Sequence, residues 1–401
     1  MRQRTDIRLF SPEWCMAFFV VAIWAYQPLI LNMSVLASKF VGGLFDVLFI
    51  ALTAVFFLLA RPIWKKKIRM ADIAFYFACV LLTFISITAF PTSSETIKEG
   101  LAPFLLQVLT CYFVGLLIDI EKYKDYMYWA SVLCVLSQAF YFFFFLQRIS
   151  SGVELKGDQI VPATYTLPHV LMVLWYTLRK ANILNVAVSI ISMVLLLSFS
   201  NRGSILAVML FVVVYFFFLT PKKGSTSSRV IVLLATIVLL VFFEQIMTNL
   251  FGFAESLGLS TSFFDRLAND EIHDSNGRDL LYRQALDQIA AGGIFGSGMG
   301  IDRLVLGTYA HNFVLEFLMD FGILFGGGIV IAYFILLILS FFKSKSLEVK
   351  AFIAVLCGRG LIHMLVSGSY IEDGHFFLLI GFCVAALRQS KMRPQIQQAN
   401  G

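Results

Sequence analysis

The stretch His311–Phe342, HNFVLEFLMDFGILFGGGIVIAYFILLILSFF, decides the fold class. From Gly322 onward it runs to Phe342 without a charge. At 1.5 Å per residue such a run crosses a hydrocarbon core roughly 30 Å thick. Similar runs recur from end to end of the 401 residues, of which 59% are hydrophobic and 14% charged. Ordinary soluble domains carry roughly 25% charged residues. Mean hydropathy is +0.84. The chain therefore reads as an all-α polytopic integral membrane protein. A porin-type barrel is excluded, because its strands alternate rather than run continuously apolar. The 42 Phe read as lipid-facing and packed helix surface.

Twelve spans are expected, near 14–32, 41–60, 71–90, 101–119, 127–146, 162–178, 183–200, 204–219, 230–248, 322–342, 349–367 and 374–387. With both termini cytoplasmic, the inner segments hold 21 of the 31 Lys and Arg and the outer segments nine, with Arg359 inside a span. Cytoplasmic loops concentrate basic residues, which supports this orientation. The basic start, apolar run and Val35-Leu36-Ala37 mimic a signal peptide, but a retained first span is expected. The six Cys lie in or beside apolar spans and read as small packing residues. Residues 1–401 are expected to form a single polytopic domain.

One extracytoplasmic loop, Glu244–His311, stands out by its length. Within it Leu281, Ala285 and Ile289 repeat at helical spacing, as do Arg278, Tyr282 and Ala285, which predicts an amphipathic helix near the membrane. The run GGIFGSGMG that follows reads as a flexible helix stop; it lacks the strand and the Lys-Ser/Thr of a nucleotide loop. Four arginines (Arg266, Arg278, Arg283, Arg303) stand against nine acids in this loop. That balance suits either a defined anion site or a solvated surface with scattered ion pairs.

Candidate chemistry gathers at the outer face. Arg202, in Ser198-Phe-Ser-Asn-Arg-Gly-Ser204, offers a planar fork suited to phosphate; a snorkelling arginine is the alternative. Arg359 lies inside a span, where an arginine costs at least ~2.5 kcal/mol and must face a cavity or a partner. His363 and Ser367 continue its stripe outward, and Asp46, Glu244 or a helix-end carbonyl would be structural partners. His311 and Asn312 open a span, with Glu316 and Asp320 on the Asn312 face. Neutral His suits a general base, and Asn in that place is often a cap. His169 reads as a packed core residue, while His375, Glu372 and Asp373 are further candidates.

Three segments in order, SFSNRGSILAVML (Ser198–Leu210), GRDLLYRQALDQIAAGGIFGSGMG (Gly277–Gly300) and HNFVLEFLMDFGI (His311–Ile323), together resemble the bacterial O-antigen polymerase and O-antigen ligase family. Asn201 departs from the pattern, which commonly has Ser before the arginine, and Arg278 is preferred to Arg283 as the loop arginine. The resemblance implies an inverting glycosyltransferase that needs no metal or other cofactor. Its donor would be an oligosaccharide on undecaprenyl diphosphate, at the outer leaflet of the bacterial inner membrane. A polymerase extends repeat units into a surface polysaccharide such as O-antigen or capsule. A ligase transfers the glycan to a lipid A core sugar in lipopolysaccharide assembly. Arg202, Arg278 and Arg359 would hold the diphosphate and His311 would serve the acceptor hydroxyl. Arg283, His363, Asn312, Glu316 and Asp373 would line the substrate, with Glu316 or Asp373 as the second-choice base. The expected partners are the lipid-linked glycan, the bilayer and a chain-length regulator, with no nucleic acid.

A transporter is the rival from another class. The central loop is only Arg179–Asn182 and no G-x-x-x-D follows the second span, which disfavours a major-facilitator type. A lipid-linked glycan flippase also needs cavity arginines and stays open on residues alone.

Overall fold

In the computed structural model, residues 9–37, 42–150, 161–198, 202–220, 245 and 278–399 are described, and among them every element is helical. The helices are α1 (Pro12–Ala37), α2 (Gly42–Leu59), α3 (Arg61–Lys67), α4 (Met70–Ala89), α5 (Pro91–Ser94), α6 (Lys98–Pro103), α7 (Cys111–Leu117), α8 (Ile120–Ser150) and α9 (Val161–Arg179). They continue with α10 (Ile183–Ser198), α11 (Arg202–Val214), α12 (Arg278–Gly292), α13 (Ile301–Leu306), α14 (Phe313–Phe321), α15 (Gly327–Lys343), α16 (Leu347–Cys357), α17 (Met364–Val366) and α18 (Gly374–Ala399).

Among the described residues, four helical segments are long and apolar enough to cross a membrane: Met70–Ala89, Pro91–Leu117, Phe313–Lys343 and Leu347–Val366. Val47–Leu59 and Arg61–Lys67 make a fifth if a pair bent by 72° counts as one span. The expected twelve are not established. The ninth, near 230–248, lies outside the described residues. Other apolar helices, such as Ile183–Leu196 and Gly203–Leu219, are shorter than a full crossing. The helices are also interrupted. Wide π-turns occupy Phe104–Val108, Tyr215–Leu219, Gly322–Gly326 and Gly358–His363. The first follows Pro103, whose ring cannot join the regular hydrogen-bond ladder. The expected tenth span also starts earlier than its apolar run suggests, at Phe313.

Burial sorts the segments. Met70–Ala89 is 17% buried and peripheral, while Leu347–Val366 is 61% buried and central. Around the central segment pack α9, α11 and α18. α7 and α18 approach each other through glycine. A side chain on Gly115 would strike the Leu378 carbonyl, and one on Gly381 would strike that of Tyr112. Small residues permit such backbone contact between membrane helices, where packing rather than hydrophobic exclusion drives association.

One end of the bundle is fastened by ion pairs. Arg388 forks onto buried Asp72 at 2.8 and 2.6 Å, and the Tyr112 hydroxyl donates to the same carboxylate at 2.7 Å. Lys124 and Arg179 both meet Glu348, at 3.1 and 3.4 Å. These pairs tie α4, α7 and α18, and α8, α9 and α16.

Gly381→Ala is expected to lower stability by about 1–3 kcal/mol through forced overpacking. Thermal unfolding in detergent should show it, and Gly328→Ala, where a side chain would meet open space, should be near neutral.

Candidate functional site

At the other end, the loop that precedes α14 is folded onto the membrane helix. Asn312 caps α14, its Oδ1 accepting from Val314 N at 2.9 Å and Leu315 N at 3.3 Å. That duty occupies the side-chain oxygen expected to line the substrate. The cap requires the chain to enter sharply, and His311 takes φ 52°, a left-handed conformation uncommon outside glycine. Strain of this kind concentrates at functional sites.

The glycine run is not a flexible stop. Ser297 N donates to Met319 O at 3.0 Å and Gly298 N to Asp320 O at 2.9 Å. In return Leu324 N donates to Ile294 O at 3.2 Å. The run clasps the break where α14 ends, and supplies partners to backbone groups the break leaves open. Gly296 (φ 78°) and Gly322 (φ 74°) abut so closely that a side chain on either would strike the other's backbone. On the far side Met299 N donates to Ser86 Oγ at 2.7 Å and Thr96 Oγ1 to Gly300 O at 2.9 Å, which joins the clasp to α4 and its following turn.

The clasp sets α12 over α14. Ala285 and Ile289 are buried with Ile301, Ala310 and Met319, so the amphipathic reading of α12 holds. Arg278 is half-buried at its start, whereas Arg283 is exposed. Arg278 forms no ion pair among the described residues. Its charge acts on His311, on Tyr309 and on His363. Burial, then Arg278, lower the His311 imidazole from its ordinary value, with Glu372 opposing. The ring sits 4.1 Å from that of Tyr309, and its buried Nδ1 has no hydrogen-bond partner among the described residues.

Deeper lies the second group. Arg359 is 3% exposed in the π-turn Gly358–His363. Its Nε donates to Asp373 Oδ2 at 2.7 Å, and its guanidinium covers the Tyr165 ring at 4.1 Å. Among the described residues the partner is therefore Asp373; the side chains of Asp46 and Glu244 lie outside them. The pairing arises because the loop after α17 folds back over the helix end. Burial alone would raise the Asp373 carboxyl, but Arg359 and then His375 outweigh it and hold it well below the usual carboxylate range. His375 Nδ1 lies 3.0 Å from the same carboxylate. Arg359 Nη1 and His363 Nδ1 are buried without a partner among the described residues. Unpaired buried donors are rare in native structures and mark places where a ligand or water belongs.

α11 packs on the central helix, with Gly358 against Ala207. The Arg202 side chain itself lies outside the described residues. His169 is buried as expected, its Nδ1 3.1 Å from Ser131 Oγ.

Sequence reasoning missed Arg303. Its guanidinium meets Asp302 at 3.0 Å, Glu316 at 3.2 Å and Glu372 at 2.9 Å, and donates to Ser369 Oγ at 2.9 Å. Glu316 is fully buried and also accepts from Ser369 and from Tyr370 N, so both its oxygens are engaged. Asp320, one turn on, accepts from the Tyr370 hydroxyl at 2.6 Å. The signal available in sequence was the Asp302-Arg303 pair in an otherwise apolar six-residue helix.

Residues 185–331 match the family described as O-antigen ligase. The matched region carries Arg202, Arg278, the glycine clasp and His311, so over that part the chain is similar to the O-antigen ligase family. The match and the long apolar helices support an integral membrane protein related to enzymes of broad glycosyl-transfer type. No curated protein and no solved structure matches it.

Asp373→Asn should strand the Arg359 charge in an apolar surrounding. Breaking one side of a buried pair costs about 3–5 kcal/mol, so thermal unfolding in detergent should drop sharply. Glu99→Gln, at an exposed position, should change it little.

Proposed function

We propose that this chain is an inverting, metal-independent glycosyltransferase of the bacterial inner membrane. It joins undecaprenyl-diphosphate-linked repeat units into a surface polysaccharide, O-antigen or capsule. The observation that carries the reading is His311. A histidine of left-handed backbone, its Nδ1 without a hydrogen-bond partner among the described residues, stands under the Arg278 charge where the chain enters a membrane helix.

In this reading the diphosphate of the donor lies between Arg278, Arg359 and Arg202. The guanidinium forks suit phosphate oxygens bidentately. His311 takes the proton from the acceptor hydroxyl as that oxygen attacks the anomeric carbon from the face opposite the leaving group. The anomeric C–O bond to phosphate breaks, undecaprenyl diphosphate departs with the electron pair, and the arginines stabilise its added charge. One displacement inverts the configuration. His363, with its free Nδ1, joins Arg359 at the deep side. Asp373 holds Arg359 in register, and its pairing leaves it poorly placed to be a base. The whole chain acts as one polytopic unit, with both termini cytoplasmic and the 244–311 loop outside. A chain-length regulator would set how often the reaction repeats.

Deleting the gene and resolving the surface glycan on a gel tests the reaction. A polymerase loss leaves single-repeat material, a ligase loss leaves long chains on the lipid carrier, and a flippase loss leaves no transferred repeats at all. His311→Ala and Arg278→Ala, at normal expression, should each lose roughly 10²–10³ in rate, the usual cost of one such group. EDTA should leave activity intact. Because His311 must be neutral to accept a proton, activity should fall only as pH drops below its ordinary value of 6.5, the lowered imidazole setting the acid limb. A limb above 6.5, or full activity in His311→Ala, would remove the base from this scheme.

A further inference from the structure

The His311 turn does not hold itself in place. Residues 307–311 are a short exit from α13, and the left-handed φ at His311 has to be maintained by neighbours. Those neighbours converge on one side chain. Asp302 Oδ2 accepts from Ala310 N at 3.1 Å, which ties the residue before His311 to the start of α13. The same carboxylate is gripped by Arg303. Arg303 also lies 5.9 Å from the centre of the Tyr309 ring, the ring that packs on His311. Its other contacts reach Glu316, one turn into α14, and Ser369 and Glu372 in the loop that follows α17.

We propose that Arg303 is the positioning residue for His311: it draws Asp302, Glu316 and Glu372 onto one guanidinium and so locks the 309–311 turn between α13, α14 and the 369–372 loop. This rests on His311 being the base. Arg303 itself is unfit to hold substrate phosphate, because both Nη atoms already serve protein acceptors. It touches no reacting atom and works by geometry and by charge. The geometric part fixes the imidazole against the acceptor, where a misplacement of about 1 Å costs on the order of 100-fold. The electrostatic part concerns Glu372. That carboxylate acts on His311 against Arg278, and its ion pair with Arg303 offsets part of its field. The groups that bear on the imidazole are therefore Arg278 from α12 and Glu372 from the loop, with the Tyr309 ring of its own turn packed against it, and Arg303 acts only through Glu372 and the turn.

The test uses the purified full-length chain in proteoliposomes, with the lipid-linked repeat unit isolated from a strain lacking the gene. Arg303→Gln should lower turnover about 100-fold with KM for the donor within about threefold. It should also move the acid limb of the pH–rate profile upward, since a cation is removed and Glu372 acts unopposed. Arg303→Gln leaves Asp302 and Glu316 buried without their cation and can fail to fold. Glu372→Gln decides the matter in that case. Glu372 is exposed, its loss keeps the buried pairs, and the acid limb should then move downward because an anion beside the imidazole is gone. His311→Gln is measured alongside. If His311→Gln is inactive while Glu372→Gln and any folded Arg303→Gln leave the acid limb where it was, the positioning inference is overturned and the base stands. If His311→Gln turns over like the parent, the base reading fails and takes this inference with it.

Discussion

A membrane helix that breaks must find new partners for the backbone groups it frees, because lipid offers none. The rest of this site depends on how the break at Gly322 is met. The helix that begins at Phe313 cannot continue regularly past Phe321, and the glycine run 293–298 bonds to residues 319, 320 and 324 across the gap. A loop that composition alone presents as long and polar is thus fastened, at its described end, to the helix it precedes. The fastening is what sets Arg278 over His311. It also explains the glycines: the two backbones lie too close for any side chain at Gly296 or Gly322.

Buried charge imposes the second constraint. Each ion taken from water costs several kcal/mol unless its partners are close and well aimed. At one end of the bundle Asp72 meets this with Arg388, Tyr112 and the Arg69 amide. At the other, Asp373 meets it with Arg359 and His375. The first set has its polar atoms matched and reads as a fastening. The second leaves Arg359 Nη1 open. A purely structural pair buried this deeply would be expected to use both sides of the guanidinium fork.

What was legible in sequence follows from what is local. Apolar run length announced helices and membrane. The depth of Arg359 announced a partner, and the three-residue and four-residue spacing in 278–289 announced the face that α12 buries. Arg278 is half-buried and Arg283 exposed, a difference that the order of residues does not announce. What was illegible is tertiary. Nothing in the order of residues says that Asp373 rather than Asp46 would reach Arg359, since that depends on a loop folding back. The glycine run looked like slack because its hydrogen-bond partners lie more than twenty residues away. The described helices do not map simply onto apolar runs for a related reason: π-turns and Pro103 interrupt them where hydropathy runs on unbroken. Arg303 was overlooked because a loop arginine among nine acids resembles surface neutralisation until Glu316 and Glu372 are seen to share it.

The three arginines whose contacts are described near the outer end divide by how many donors remain. Arg303 is spent: three carboxylates and a hydroxyl take its donors, and its charge is more than balanced locally. Arg359 is matched one to one by Asp373 yet keeps Nη1 unused. Arg278 has no carboxylate on it among the described residues, and its field falls on two imidazoles. An incoming diphosphate brings negative charge that must be met by cations not already neutralised. Arg303 cannot supply that without surrendering buried carboxylates, whereas Arg278 and Arg359 can. The same balance favours a neutral imidazole at His311, whose value burial and Arg278 lower. A protonated His311 would add positive charge beside Arg278, so in the proposed scheme the electrostatics that favour holding an anion also favour an imidazole free to accept a proton.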